Sequence, residues 1–279
     1  MFQIRPMLEK EMDVAIQLAA DEGWNPGLED ASCFYRTDPS GFLIGILDGR
    51  PIGCISAVSY GGACGFVGFY IVAPEYRGQG YGIQLWNEAI KKLAGHNIGL
   101  DGVVEQQANY MKSGFKHAYR NIRYEGRARR SEFHSTRIVA LKSIGLDTLC
   151  AYDRRFFPAD RESFLTNWAS MEKSSGVAYV EQQQILGYGV IRACRRGHKV
   201  GPLFAENAEV AESILIELRN KVEEGAPFFL DVPEINSDAI NLANRYQMSK
   251  LFETARMYTG DQPALPMERI FGVTTFELG

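Results

Sequence analysis

Residues 77 to 82 run Arg77-Gly78-Gln79-Gly80-Tyr81-Gly82, three glycines in five positions behind an arginine. An apolar run, Phe66 to Val72, precedes it and closes with Ala73-Pro74. An amphipathic run, Ile83 to Leu93, follows it. The pattern is a strand, a glycine loop and the start of a helix. Gly78, Gly80 and Gly82 let the backbone turn sharply and approach a ligand closely. The first N–H groups of a helix have no partner within it and carry partial positive charge, so this junction suits an anionic diphosphate. Arg77 adds a planar, permanently charged donor at the rim.

A flexible turn is the plain alternative, and three nucleotide loops compete with it. A Walker A loop ends in Gly-Lys-Ser/Thr, whereas Gly82 is followed by Ile83 and Gln84. A dinucleotide G-x-G-x-x-G loop opened at Gly78 needs its third glycine where Ile83 stands, although Asp101 lies about where a ribose-binding acid belongs. The third candidate fits. Arg77-x-x-Gly80-x-Gly82, after Val72-Ala73-Pro74-Glu75-Tyr76, resembles the acyl-CoA loop of the GNAT superfamily of N-acetyltransferases, Gln/Arg-x-x-Gly-x-Gly/Ala at a strand–helix junction. Downstream, Asn97 to Val104 reads as a short buried strand. Asn109-Tyr110-Met111-Lys112-Ser113-Gly114-Phe115 after it resembles the GNAT ending Leu-Tyr-x-x-x-Gly-Phe.

This resemblance implies acetyl-CoA as co-substrate and direct acetyl transfer to a primary amine in a ternary complex. It implies that the backbone N–H groups of Gly78, Gln79, Gly80, Tyr81 and Gly82 hold the diphosphate beside Arg77. Main-chain groups at Ile71 and Val72 would pair with the pantetheine arm, and Tyr110 would be the general acid that protonates the departing thiolate. The chemistry is sound by itself, since a phenol of pKa ~10 can donate to a thiolate whose acid has a pKa of ~8.5. The competing reading of Tyr110 is a core tyrosine with a satisfied hydroxyl. Some family members carry a glutamate on the strand before the loop; here Gly65 to Val72 holds no carboxylate. A water relay ending at Glu22, Asp101 or Glu105 is open, each equally readable as a solvated or capping carboxylate, and no base is assigned.

Composition narrows the class. The chain has 279 residues, enough for two domains of ordinary size. A net charge of −4 argues against nucleic-acid binding. The sequence has no apolar run long enough to span a membrane and no visible signal peptide, so a cytoplasmic enzyme is expected. Cys33, Cys54, Cys64, Cys150 and Cys194 are scattered without C-x-x-C spacing, and the histidines are dispersed, so neither disulfides nor a metal site is expected.

The first half reads β-α-α-β-β-β-α-β-α-β, which matches the GNAT fold: an α/β (α+β) arrangement with a mixed central sheet flanked by helices. Asp48-Gly49 marks a hairpin between two of its strands. Between the first two helices, Glu22, Trp24 and Asn25 are candidates for the acceptor pocket, against the alternative of a core cap and a simple turn. The second half resembles a worn copy. Asn236 to Met248 follows the tyrosine-helix pattern, but Ala243 stands at the tyrosine place and Gln247-Met248 at Gly-Phe. The junction Gly201 to Asn207 lacks the glycine series and carries Glu206, an unsuitable lining for a diphosphate. The expected organisation is a catalytic domain at 1–126, a basic linker at 127–136 and a degenerate GNAT-like domain at 137–279. Arg154, Arg155 and Arg161 are read as surface charges or as positive lining for the pocket.

The expected function is transfer to a small-molecule amine. The alternatives are a non-catalytic acyl-CoA sensor and a protein or peptide N-acetyltransferase. The acceptor and the oligomeric state have no signature in the sequence.

Overall fold

The computed structural model describes residues 1–279. The first half contains β1 (Phe2–Pro6), α1 (Met12–Asp21), α2 (Asp30–Thr37), β2 (Phe42–Leu47), β3 (Arg50–Ser59), β4 (Cys64–Val72), α3 (Tyr81–Lys92), β5 (Asn97–Val103), α4 (Gln107–Lys112) and β6 (Lys116–Arg127). The second contains β7 (Ile138–Ala140), α5 (Leu146–Asp153), α6 (Glu162–Ser170), β8 (Ser174–Glu181), β9 (Gln184–Ala193), β10 (His198–Ala205), α7 (Ala208–Arg219), β11 (Pro227–Pro233), α8 (Ser237–Arg245), β12 (Ser249–Tyr258) and β13 (Ile270–Gly272). The element order of the first half recurs in the second, which then adds β13. At the β2–β3 hairpin, Asp48 and Gly49 both take left-handed φ, as a tight two-residue turn between twisted strands requires.

The strands form one sheet in the order β1-β2-β3-β4-β5-β12-β6-β11-β10-β9-β8-β7, with β13 paired to β10. The two copies do not form separate sheets. β6 does not sit beside β5. β12, from the second half, pairs antiparallel with β5 from Thr254↔Val103 to Tyr258↔Gly99, and β6 lies beyond it, paired with β12 and β11. Each half therefore lends its last long strand to the centre. A cut at residue 126 divides the chain but not the sheet.

Burial follows the same logic. On one face, α1 and α2 share a core of 33 buried residues with α5 and α6, including Met12, Phe34, Phe69, Phe164, Trp168 and Tyr188. The other face carries two separate cores, one under α3 and α4 around Leu85, Trp86 and Tyr110, and one under α7 and α8 around Ile214, Leu218 and Leu242. Buried ion pairs also join the halves: Asp30–Arg192 at 2.9 Å, Asp101–Arg256 at 2.6 Å and Arg123–Asp231 at 2.7 Å. A fourth pair, Asp153–Arg161, lies within the second half at 2.7 Å, with the Tyr188 hydroxyl also on Asp153. Arg161 is thus a core residue, not the surface charge expected, because its guanidinium is matched by a buried carboxylate. Cys33, Cys54 and Cys194 are buried, and all five cysteines are free.

Candidate active site

β4 and β5 run parallel and pair only from Cys64↔Asn97 to Val67↔Leu100. Beyond that point they splay. The cause lies in β4: from Ser56↔Gly68 to Cys54↔Ile71, two steps on β3 oppose three on β4. This bulge places Phe69 at a left-handed φ of 47°. The extra residue shifts the side-chain alternation, so that Phe69 and Ile71 join the shared core while Tyr70 and Val72 pack toward α3.

The splayed strands open a cleft of about 390 Å³, within the size range of small-ligand sites. Its lining includes Ile71, Val72, Arg77, Gly78, Gly82 and Tyr110 from the sequence-predicted set, together with Glu22 and Trp24. Asn25 stands outside this cleft. Its left-handed turn (φ 53°) points the amide at the second half, where it accepts from Arg196 N at 2.8 Å and donates to Arg196 O at 2.9 Å. It staples the halves together and lines a neighbouring cavity.

The glycines set the conformation of the loop. Gly78 and Gly80 adopt φ of 73° and 82°. Gly82 has a different reason to be glycine: a Cβ there would lie 2.9 Å from the Tyr70 hydroxyl. No side chain caps α3. The backbone N–H groups of Gly78, Gln79, Gly80, Tyr81 and Gly82 donate to no acceptor in the protein. Five successive free amides at a helix start fit a diphosphate. The Arg77 side chain is used otherwise than expected. Its Nε donates to Val72 O at 2.7 Å and its Nη2 pairs with Glu22, so the guanidinium braces the rim rather than facing the loop amides.

Tyr110 is 8% exposed and packed against Trp86, with ring centroids 5.5 Å apart. Gly102 admits the ring, since a Cβ there would lie 2.2 Å from Tyr110 Cε2. The hydroxyl has no hydrogen-bond partner in the protein. Burial, aided by neighbouring Tyr70, pushes its pKa up, so the phenol stays protonated.

The carboxylates weighed as proton acceptors separate clearly. Glu105 does not line the cleft, and Glu22 is committed to Arg77. Asp101 lines it but is fully engaged, accepting from Arg256 Nε at 2.9 Å, Arg256 Nη2 at 2.6 Å and Asn121 Nδ2 at 2.7 Å. Other lining residues carried no sequence signal as site residues, among them Tyr70 and Trp86 from the first half and Phe252, Thr254, Phe276 and Glu277 from the second. The first two lie within the strand and helix already singled out. The others carry no local motif and arrive only through the strand exchange and the chain end.

The second half lacks this machinery for visible reasons. At the β10–α7 junction Asn207 Oδ1 accepts from Val210 N at 3.0 Å and caps the helix. Glu206 just before it is held by Arg155 at 2.7 Å and Arg269 at 2.9 Å. The gap between β10 and β11 is filled by the chain itself: β13 pairs with β10 at Leu203 and Phe204, and Val273 N donates to Asp231 O at 2.9 Å. Ala243, at the place of the tyrosine, is buried in the core under α7 and α8.

A splayed parallel pair, a glycine loop at a helix start and a tyrosine opposite define a GNAT acyltransferase, repeated here as an active-looking and a filled copy. Residues 7–115 match the model of the Acetyltransferase (GNAT) family, and residues 149–272 match that of the Acetyltransferase (GNAT) domain. The chain belongs to the GNAT superfamily and contains two GNAT domains in tandem. It is 29% identical over 275 residues to holothin acyltransferase of Pseudoalteromonas sp. (strain SANK 73390), covering 99% of this chain and 94% of that one. Its fold is similar to that of a putative acetyltransferase from Pyrococcus horikoshii, with a TM-score of 0.85, 22% identity and coverage of 100% and 96% of the two chains. It is also similar to a tandem GNAT protein from the clavulanic acid biosynthesis pathway, with a TM-score of 0.64, 12% identity and coverage of 94% and 100%.

Proposed function

We propose that this GNAT acyltransferase moves an acetyl group from acetyl-CoA to the primary amine of a small molecule, by direct transfer in a ternary complex. The observation that carries this reading is the row of five unsatisfied amides from Gly78 to Gly82, whose two end residues line the β4–β5 cleft. Acetyl-CoA supplies the thioester. The loop amides would bind its diphosphate, main-chain groups at Ile71 and Val72 would align the pantetheine arm, and Tyr110 would give its proton to the leaving sulfur. The catalytic unit is read as built on residues 1–126, with 137–279 as a non-catalytic partner lacking the CoA loop.

The small acceptor is favoured by the lining. Phe252, Thr254, Phe276 and Glu277 add side chains of the second half to the cleft lining, and a concave site lined from both halves suits a small acceptor. Full-length similarity to an enzyme named for acyl transfer to holothin points the same way.

The test is acetyl-CoA consumption across polyamines, amino acids, aminoglycosides and peptides, with Tyr110→Phe as the control. The variant should lose about 10²–10⁴-fold in kcat with little change in acetyl-CoA affinity. A variant that turns over like the wild type would remove Tyr110 as the acid. Turnover of peptides alone would favour the protein-acceptor reading. A protein that binds acetyl-CoA and acetylates none of these amines would favour the sensor reading.

A further inference from the structure

The segment after β13 does not leave the molecule. Residues 274–279 are all buried. They run from the filled cleft of the second half into the open cleft of the first. Arg161 Nη2 donates to Thr274 Oγ1 at 3.0 Å, Leu278 N to Thr275 Oγ1 at 2.9 Å, and the Tyr60 hydroxyl to Leu278 O at 2.9 Å. Between these anchors Glu277 crosses β4 at Gly68, where a Cβ would lie 2.1 Å from Glu277 O. The crossing point is the bulge that opens the cleft.

Glu277 is 4% exposed and lines the cleft, yet its carboxylate has no ion pair and no hydrogen bond, and Oε2 is buried without a partner. An unsatisfied carboxylate at this depth is costly unless something cationic meets it. Arg123 on β6, Lys199 on β10 and Arg192 on β9 are the cations near enough to feel the Glu277 charge. Arg123 and Arg192 are already paired with Asp231 and Asp30, and Lys199 has no carboxylate within ion-pair distance. The same cleft lining holds three aromatic side chains from separate segments: Phe252 and Phe276 lie 6.1 Å apart, with Arg123 over Phe276 at 4.8 Å, and Trp24 lines the cleft with them.

We propose that Glu277 binds the acceptor's ammonium group and takes its first proton, and that the acceptor is a primary amine on a small, flat apolar body. The proposal rests on the acyl-transfer reading above. An acceptor R–NH3⁺ gives one proton to the Glu277 carboxylate, leaving R–NH2 and a neutral acid. The nitrogen lone pair forms the N–C bond to the thioester carbonyl. The C–S bond then breaks, its electron pair goes to sulfur, and sulfur takes the Tyr110 proton. The nitrogen still holds two protons and a positive charge; one passes to the Tyr110 oxygen, which leaves the neutral amide. Glu277 returns its proton to solvent. The base absent from β4 is thus supplied by the far end of the chain.

The experiment uses the full chain saturated with CoA and phenethylamine as the probe, with binding followed by calorimetry. Wild type should bind phenethylamine at least tenfold more tightly than phenethyl alcohol, its neutral analogue, and Glu277→Gln should remove that preference. With acetyl-CoA, Glu277→Gln should lower kcat/KM by about 10²–10³-fold at pH 7. It should recover about tenfold per pH unit toward pH ~9.5, as the free amine fraction rises below its pKa of ~10. A structural defect gives a deficit that is constant with pH. If Glu277→Gln does not fold, the wild-type comparison of amine with alcohol decides. Equal affinity for the two, no binding of the amine, or a Glu277→Gln variant with wild-type kinetics would overturn the proposal. Failure of acetyl-CoA to bind the wild type would instead overturn the acyl-transfer reading itself.

Discussion

The carbonyl of Glu277 passes over Gly68 with no room for a methyl group between them, at 2.1 Å from where a Cβ would stand. Both partners at this crossing are backbone, so neither can rotate away. Gly68→Ala should displace the chain end and cost about 1–3 kcal/mol of stability, as overpacking of a buried contact does. It should expose residues 274–279 to proteolysis. Thermal melting and limited digestion with mass spectrometry check this; an unchanged melting temperature with an intact chain end would show that the crossing tolerates a side chain.

Asp101 is expected to be a structural anion. Asp101→Asn leaves Arg256, which is buried, without its counter-charge, and breaking such a pair costs about 3–5 kcal/mol. Because the pair joins β5 to β12, the loss should loosen the exchanged strand, and hydrogen exchange in β12 should rise more than in β1. Urea unfolding gives the magnitude. A variant of wild-type stability that has lost only turnover would return Asp101 to the list of bases.

Lys199 is buried, and that burial, reinforced by the nearby Arg123 charge, lowers its pKa. The folded state therefore sheds this proton more readily than the unfolded chain. No penalty exists above the ordinary lysine pKa of ~10.4, and the penalty grows as pH falls toward the lowered native value. Wild-type stability should accordingly rise as pH is raised through that window, and Lys199→Met should flatten this part of the profile. Chemical denaturation at several pH values reads the slope, and parallel profiles for the two proteins would refute the assignment.

One acyl-CoA per chain is expected. The second cleft holds β13, and its helix start is capped by Asn207 and flanked by Glu206. Calorimetric titration with CoA should give a stoichiometry of one. Gly80→Asp should abolish binding altogether, since it places a carboxylate and a strained left-handed residue in the cradle. Residual binding at half the sites or more in that variant would reveal a second site.

Features carried by a few adjacent residues were legible in the chain alone. Arg77 to Gly82 specifies its loop because left-handed φ and close approach demand glycine locally. The spacing from that loop to Tyr110 is fixed by one helix and one strand. The absence of a second loop at Gly201 to Asn207 is equally local, and the element order was legible because hydrophobic periodicity is local as well. Which element lies beside which is set only in the folded chain. Nothing local tells Ser249–Tyr258 to enter between β5 and β6, or Glu277 to come to rest at Gly68. Those positions follow from sheet pairing and shared burial between segments more than a hundred residues apart. Phe252, Thr254, Phe276 and the unpaired carboxylate of Glu277 reach the cleft on those segments. The loop side of the cleft was written in one motif, and the rest of its lining exists only once the two copies have exchanged strands.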